Sequence, residues 1–230
     1  MNGISHNKTK EKSVSKLYFL LTIIYITLIL TSNILAGRLI MIANLSLTGA
    51  VLLFPITYIL GDIFTEVYGF EKNKQVIWLT FICNIIMTLC FIFVINLPYP
   101  NTFKNADAFK VVLGFTPKVL ISSMLGLIIG SFLNSIVMSR LKIITKGKYL
   151  ALRTILSTVV GELADTTIFL LIAFCGSLPN NILINMIICQ FIVKIIIEVI
   201  GTPITYLLID KVKKKENIDT YDYDIKYKLI

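Results

Sequence analysis

Apolar residues run almost unbroken through six stretches of the chain, 17–36, 48–68, 76–97, 119–139, 150–175 and 183–209. Each is long enough to cross the roughly 30 Å hydrocarbon core of a bilayer as an α-helix, which takes about 20 residues. None alternates with the period of two that a membrane barrel strand needs, and an open sheet edge in lipid would strand backbone N–H and C=O groups. The pattern predicts an all-α integral membrane protein of about six transmembrane helices. Two shorter features interrupt it. Residues 39–47 are apolar but too short to span, and lie between Gly37 and Gly49, which predicts an interfacial or re-entrant piece on the outer side. Residues 98–117 form a longer outer loop, where Asn105 or Asp107 is placed to cap a short helix running through Leu113. Pro55, inside the second run, removes a helix hydrogen bond and predicts a kink that opens carbonyls to a cavity.

The polar ends divide the chain into a cytoplasmic tail (1–16), a membrane domain (17–209) and a basic cytoplasmic tail (210–230). The first apolar run is longer than a signal-peptide core, so no cleaved targeting segment is expected. Basic residues set the orientation, because loops rich in Lys and Arg stay on the cytoplasmic side. With both termini inside, the inner segments hold 16 Lys and Arg, Lys8, Lys10 and Lys12 among them, and the outer segments hold four, Arg38, Lys104, Lys110 and Lys118. That asymmetry predicts a multi-pass plasma-membrane protein with both termini cytoplasmic. Composition agrees, since 56% hydrophobic against 15% charged residues places most of the chain in lipid. The net charge of +9 follows the loops instead of gathering with aromatics on one face, so no nucleic-acid partner is expected. Cys83, Cys90, Cys175 and Cys189 lie inside apolar runs without CxxC or Cys/His spacing and read as packed thiols. His6 reads as a solvated tail residue, and neither metal nor cofactor is expected. Trp78, close to the inner surface, reads as part of the interfacial aromatic belt.

Three runs precede the far end of the long outer loop and three follow it, so the halves run in opposite senses, the arithmetic of two inverted three-helix repeats. Gly61, Asp62 and Glu66 in the second run echo Gly161, Glu162 and Asp165 in the fifth. An ionisable side chain at mid-helix costs on the order of 2.5–3.5 kcal/mol to insert, so each must face a partner, a cavity or water. Glu162 and Asp165 are three apart, and Lys194 and Glu198 four apart, so each pair shares a helix face and the two faces can meet. Lys194 paired with Glu198 or Glu162 would be a buried ion pair that fixes helix packing. The carboxylates left over are candidates to accept hydrogen bonds from an NH-bearing solute, in the bidentate geometry that makes such contacts strong. Pro55, Tyr58, Asp62 and Glu66 follow one stripe of the second helix, with Tyr58 and Phe54 candidates to stack on a planar base. Arg153 is expected to snorkel, and Glu66 to pair with Lys72 or Lys74. Asn33, Asn84 and Asn134 either bond across helices or line a pathway.

Three runs together carry a resemblance: FPITYILGDIFTEVYG ending at Gly69 and followed by Trp78, RTILSTVVGELADTTIF from Arg153 to Phe169, and QFIVKIIIEVIGTPITY from Gln190 to Tyr206. They resemble the queuosine precursor transporter family, a vitamin uptake transporter-like family, over nearly the whole chain apart from the polar tails. The resemblance implies import of 7-deazaguanines such as 7-cyano-7-deazaguanine, 7-aminomethyl-7-deazaguanine or queuine, for salvage into tRNA modification. The site it implies comprises Asp62 and Glu66 of the second helix, Glu162 and Asp165 of the fifth, and Lys194 and Glu198 of the sixth. Tyr58, Gln190 and Asn33 join this set by depth and chemistry. Two alternatives stand beside it. One is a substrate-binding subunit energised by an ATP-hydrolysing partner, since the chain has no phosphate loop of its own. The other is a membrane enzyme using Glu162 and Asp165 as acid and base, which lacks a nucleophile elbow and a metal-ligand set. The partners expected are the solute and the bilayer, with a homodimer as the assembly considered.

Overall fold

The structure, a computed structural model, describes residues 15–36, 38–42, 45–114, 117–174, 176, 179–223 and 225–228, without the side chains of 39, 42, 45–48 and 117–120. His6, Lys8, Lys10, Lys12, Gly37 and Cys175 lie outside the described residues. In chain order the elements are α1 (Lys16–Leu35), β1 (Leu39–Ile42), β2 (Leu45–Thr48), α2 (Phe54–Ile63), α3 (Phe70–Ile95), α4 (Ala106–Leu113), α5 (Pro117–Ile144), α6 (Leu150–Phe174) and α7 (Asn180–Glu216). Five of them, α1, α3, α5, α6 and α7, are long and apolar enough to cross a membrane. Helix α1 begins at Ser15, whose Oγ accepts from the N–H groups of Leu17 (3.1 Å) and Tyr18 (3.3 Å). Its residues Tyr18, Thr22, Tyr25, Ile29 and Ser32 recur every three or four positions and are buried, while Phe19, Leu20, Ile23 and Ile24 point outward. Helices α3 and α7 show the same inversion, with Asn84, Lys194 and Glu198 inside and Ile82, Ile86, Ile196 and Ile200 outside. Polar side chains inward and apolar ones outward is the arrangement lipid selects. The protein is a mostly helical, multi-pass membrane protein.

The second predicted span, 48–68, is not one helix. β2 ends at Thr48, a 3-10 turn occupies Gly49–Leu52, α2 follows, and a π-helical turn over Phe64–Tyr68 completes the segment. Pro55 sits in the first turn of α2, where its missing N–H has no intrahelical partner to lose, so it starts a helix and the expected kink does not form. The sharp bend comes at Gly69 instead, with φ 86°, and a Cβ there would lie 2.7 Å from Thr220 Cγ2, so glycine alone turns the chain into α3. Of residues 39–47, expected to lie at the interface or re-enter, those described form two paired strands in which Leu39 faces Thr48 and Ile42 faces Leu45. Two short halves pairing with each other satisfy backbone groups that a lone apolar segment leaves open. This hairpin is the departure from an all-α fold among the described residues. In the outer loop α4 forms after Asn105, whose side chain makes no capping hydrogen bond.

Helices α5 and α6 approach most closely, through glycines. A Cβ on Gly130 would lie 2.7 Å from Asp165 Cβ, and one on Gly161 2.8 Å from Asn134 Cβ. Gly126 and Gly130, four apart, form the small-residue stripe that lets membrane helices touch backbone to backbone. Helix α7 continues beyond 209, the predicted end of the last span, to Glu216, and Asn217 in the left-handed region (φ 53°) stops it. The following residues fold back as a strap over the bundle end that also carries the α5–α6 connection, here called the basic end. Thr220 N–H donates to Val67 O (3.2 Å), and Asp222 Oδ2 accepts from Phe70 N–H at the start of α3 (2.9 Å) and from Ser139 Oγ (2.5 Å). Tyr227 meets the Phe70 ring edge-on at 5.0 Å.

Candidate functional site

Midway along α6, residues from six elements line a partly open cavity of about 100 Å³, room for several waters or one small guest. Glu162 and Asp165 of α6, Lys194 of α7, Phe54 and Tyr58 of α2 and Asn134 of α5 supply its polar and aromatic walls. Lys194 Nζ lies 2.5 Å from Glu162 Oε2 and 2.8 Å from Asp165 Oδ2. Of the two partners expected for Lys194, the structure selects Glu162, adds Asp165 and leaves Glu198 out. The same ammonium sits 5.1 Å above the Phe54 ring, and the Phe54 and Tyr58 rings stack at 5.9 Å with 14° between their planes. Two carboxylates around one ammonium leave the chamber with an excess negative charge. Asp165 keeps 26% of its side-chain surface against 10% for Lys194, so the acid is the group that still faces the open space. Gly126 and Gly130 make this possible, since a side chain at either position would occupy the place of Asp165.

Toward the basic end the cavity is floored by a polar layer, in which Asn73 Nδ2 donates to Thr65 Oγ1 (2.8 Å) and Thr65 Oγ1 lies 3.1 Å from Ser135 Oγ. Beyond it Glu66 is fully buried. Its Oε1 accepts from Arg153 Nη2 (2.8 Å) and Lys213 Nζ (2.7 Å), while Lys142 Nζ donates to the Glu66 carbonyl (2.5 Å). Asp219 of the strap closes the network onto Lys142 (2.5 Å) and Lys213 (2.9 Å). Two expectations are corrected here. Glu66 does not pair with Lys72 or Lys74, because Lys74 is held by Glu71 (3.0 Å) and Lys72 lies over the Tyr18 ring (5.8 Å). Arg153 does not snorkel: it is 1% exposed and donates also to Thr145 Oγ1 (3.2 Å) and the Lys148 carbonyl (2.9 Å). The π turn is the physical reason, since its extra residue rotates Glu66 inward to where α5, α6 and α7 converge. A cleft of about 560 Å³ opens beside this network, bordered by Glu66, Tyr149, Arg153, Tyr206 and Lys213.

The remaining candidates divide. Asp62 and Glu198 are buried, at 1% and 3% exposure, outside the cavity lining. Asn33 Nδ2 donates to Asn84 Oδ1 (2.5 Å) between α1 and α3, so of the two roles left open it takes the cross-helix bond. Gln190 is half-buried one helical turn from Lys194 and does not line the cavity, whereas Asn134 does, with Thr158 Oγ1 3.4 Å away. Trp78 packs against Phe81 and Phe132. Cys83 is half-buried, and Cys90 and Cys189 face outward; all three are free. Sequence reasoning misses the glycine stripe of α5, although its four-residue spacing is a legible signal. It also misses Lys142 and Lys213, which read along the chain only as loop charge.

A multi-pass helical bundle with a charged cavity between its helices fits the class of membrane transporters. Residues 48–208 match the family described as "Putative vitamin uptake transporter", and the chain belongs to that family. It is also 29% identical over 178 residues to a Bacillus subtilis (strain 168) protein named "Probable queuosine precursor transporter", covering 71% of this chain and 77% of that one. No solved structure matches the chain.

Proposed function

We propose that the protein imports a queuosine precursor, a 7-deazaguanine such as 7-cyano-7-deazaguanine, 7-aminomethyl-7-deazaguanine or queuine, for salvage into tRNA modification. The name of the relative supports this substrate class, and one observation carries it chemically: Glu162 and Asp165 share Lys194 in a partly open cavity beside the stacked Phe54 and Tyr58. A guanine-like edge presents a ring N–H next to an amino group, and a carboxylate accepts both at once. These donors compete with Lys194 for the same oxygens, while the two aromatic rings offer a flat face to the bicyclic ring. A desolvated site built around NH donors rejects analogues that lack them, because its carboxylates are then left unpaired. Binding and translocation suffice, with no covalent step and no enzyme activity.

In this reading the chain crosses the bilayer six times, through α1, the broken segment 49–68, α3, α5, α6 and α7, as two three-segment halves of opposite sense. The basic end lies in the cytoplasm together with both termini. The Thr65–Asn73 layer and the Glu66 network then stand between the chamber and the cytoplasmic cleft, and alternating access requires them to part. The test is uptake of labelled 7-aminomethyl-7-deazaguanine by vesicles holding only this chain. Saturable uptake of unaltered solute is expected. Loss of one charge-assisted bond in Glu162→Gln or Asp165→Asn should lower it by at least about tenfold. Unchanged uptake in both variants removes the site, and uptake that needs an added ATPase assigns the chain to a subunit of a larger importer.

A further inference from the structure

Asp62 of α2 and Glu198 of α7 form a second acidic pair that the solute chamber does not use. The two helices pack together, and the carboxylates are close enough to act on each other electrostatically. Asp62 Oδ2 and Glu198 Oε1 are both buried without any hydrogen-bond partner. The cations nearby are engaged elsewhere: Lys194 by Glu162 and Asp165, and Arg153, Lys142 and Lys213 by Glu66 and Asp219. The other titratable groups facing the pair are acids or a phenol, namely Glu66 beside Asp62, Glu162 beside Glu198, and Tyr58, which senses Glu198. Two ionised carboxylates in that setting would repel each other in a low dielectric with an oxygen on each left unsatisfied.

We infer that Asp62 and Glu198 together bind one proton, and that this proton is the coupling ion of transport. A single proton removes the repulsion and lowers the cost of the unpaired oxygens, because a neutral carboxyl is cheaper to bury than a charged one. It converts one carboxylate to a neutral carboxylic acid and leaves a single negative charge where there would be two, so the pair titrates as a unit. A metal cation fits less well, because hard cations need a shell of several oxygens, and among the described residues no group of three or more His, Cys, Asp or Glu could hold a metal ion. Coupling runs through the wall of the chamber. Glu198 interacts with Glu162, which lines the cavity, so a proton on the pair lowers the negative field around Glu162 and changes how firmly Lys194 is held. By reciprocity, a guest that engages Glu162 changes the affinity of the pair for its proton.

Two measurements test this, and only the second rests on the chamber being the 7-deazaguanine site. Infrared difference spectra of the whole protein in lipid, recorded through a pH titration, should show a carboxylic acid C=O band at neutral pH. That band should be lost in both Asp62→Asn and Glu198→Gln, and its persistence in both variants, or its absence from the wild type, overturns the proposal. In vesicles, an outside-acid gradient of one pH unit should sustain up to about tenfold accumulation of labelled 7-aminomethyl-7-deazaguanine in the wild type. Either variant should lose that response, with any uptake left in it indifferent to the gradient. Gradient-driven accumulation surviving in the variants, or a sodium gradient replacing the proton gradient, overturns it. A wild type with the infrared band but no uptake of this solute refutes the substrate assignment and leaves the proton site standing.

Discussion

Lys194 serves two acids with one ammonium, at 2.5 Å and 2.8 Å, in surroundings where none of the three is well hydrated. Removing one partner of a buried pair typically costs about 3–5 kcal/mol, because the charge left behind has nothing to answer it. Lys194→Met is therefore expected to lower the thermal unfolding midpoint in detergent markedly, and adding Asp165→Asn to recover part of the loss. A Lys194→Met protein as stable as the wild type would contradict the shared ion pair. These three residues were legible in the sequence, since charges in apolar helices stand out and their spacing assigns them to faces. The partners of Glu66 were not. Lys142 and Lys213 lie 76 and 147 residues away from it, and nothing in the local pattern announces the π turn that swings the glutamate toward them.

Element by element, the long helices were readable from run length alone, because lipid imposes a minimum that soluble folds do not. The segment 48–68 defeated that rule. Its residues are mostly apolar, so hydropathy cannot see that the end of a hairpin strand, a 3-10 turn, a short α-helix and a π turn succeed one another within it. Backbone geometry, set by Gly49, Pro55 and Gly69, decides there, and it decides against a single rod. The α5–α6 contact gives a test at this level. Gly130→Ala places a Cβ 2.7 Å from Asp165 Cβ and 2.8 Å from the Gly161 carbonyl oxygen, so the helices must separate. Overpacking of this kind costs about 1–3 kcal/mol, and thermal unfolding should register it. Gly61→Ala, where nothing lies within 4 Å of the added Cβ, is the matched control and should unfold as the wild type does.

At the scale of the molecule, the strap ties the end of the chain to the start of α3 and to the network around Glu66. Burial resists ionisation of Asp219, but Lys142 and Lys213 outweigh it and hold the carboxyl below its usual 3.8. A depressed carboxyl stabilises the docked strap at every pH above the unfolded value, and that contribution fades only as the pH falls through the lower, folded one. Pepsin cutting within 217–228, followed as the solution is acidified, should accordingly begin only beneath the usual value. Cutting that sets in well above it would show that these lysines do not hold Asp219. The timing of synthesis is bound up with the same strap. Asp222 answers the free N–H of Phe70, a residue translated 152 positions earlier, so the first turn of α3 waits for its cap until the ribosome has passed residue 222. A nascent chain stalled or clipped short of that point carries an open helix start, and one ending before Asp219 also leaves Lys142 and Lys213 with Glu66 as their shared acid.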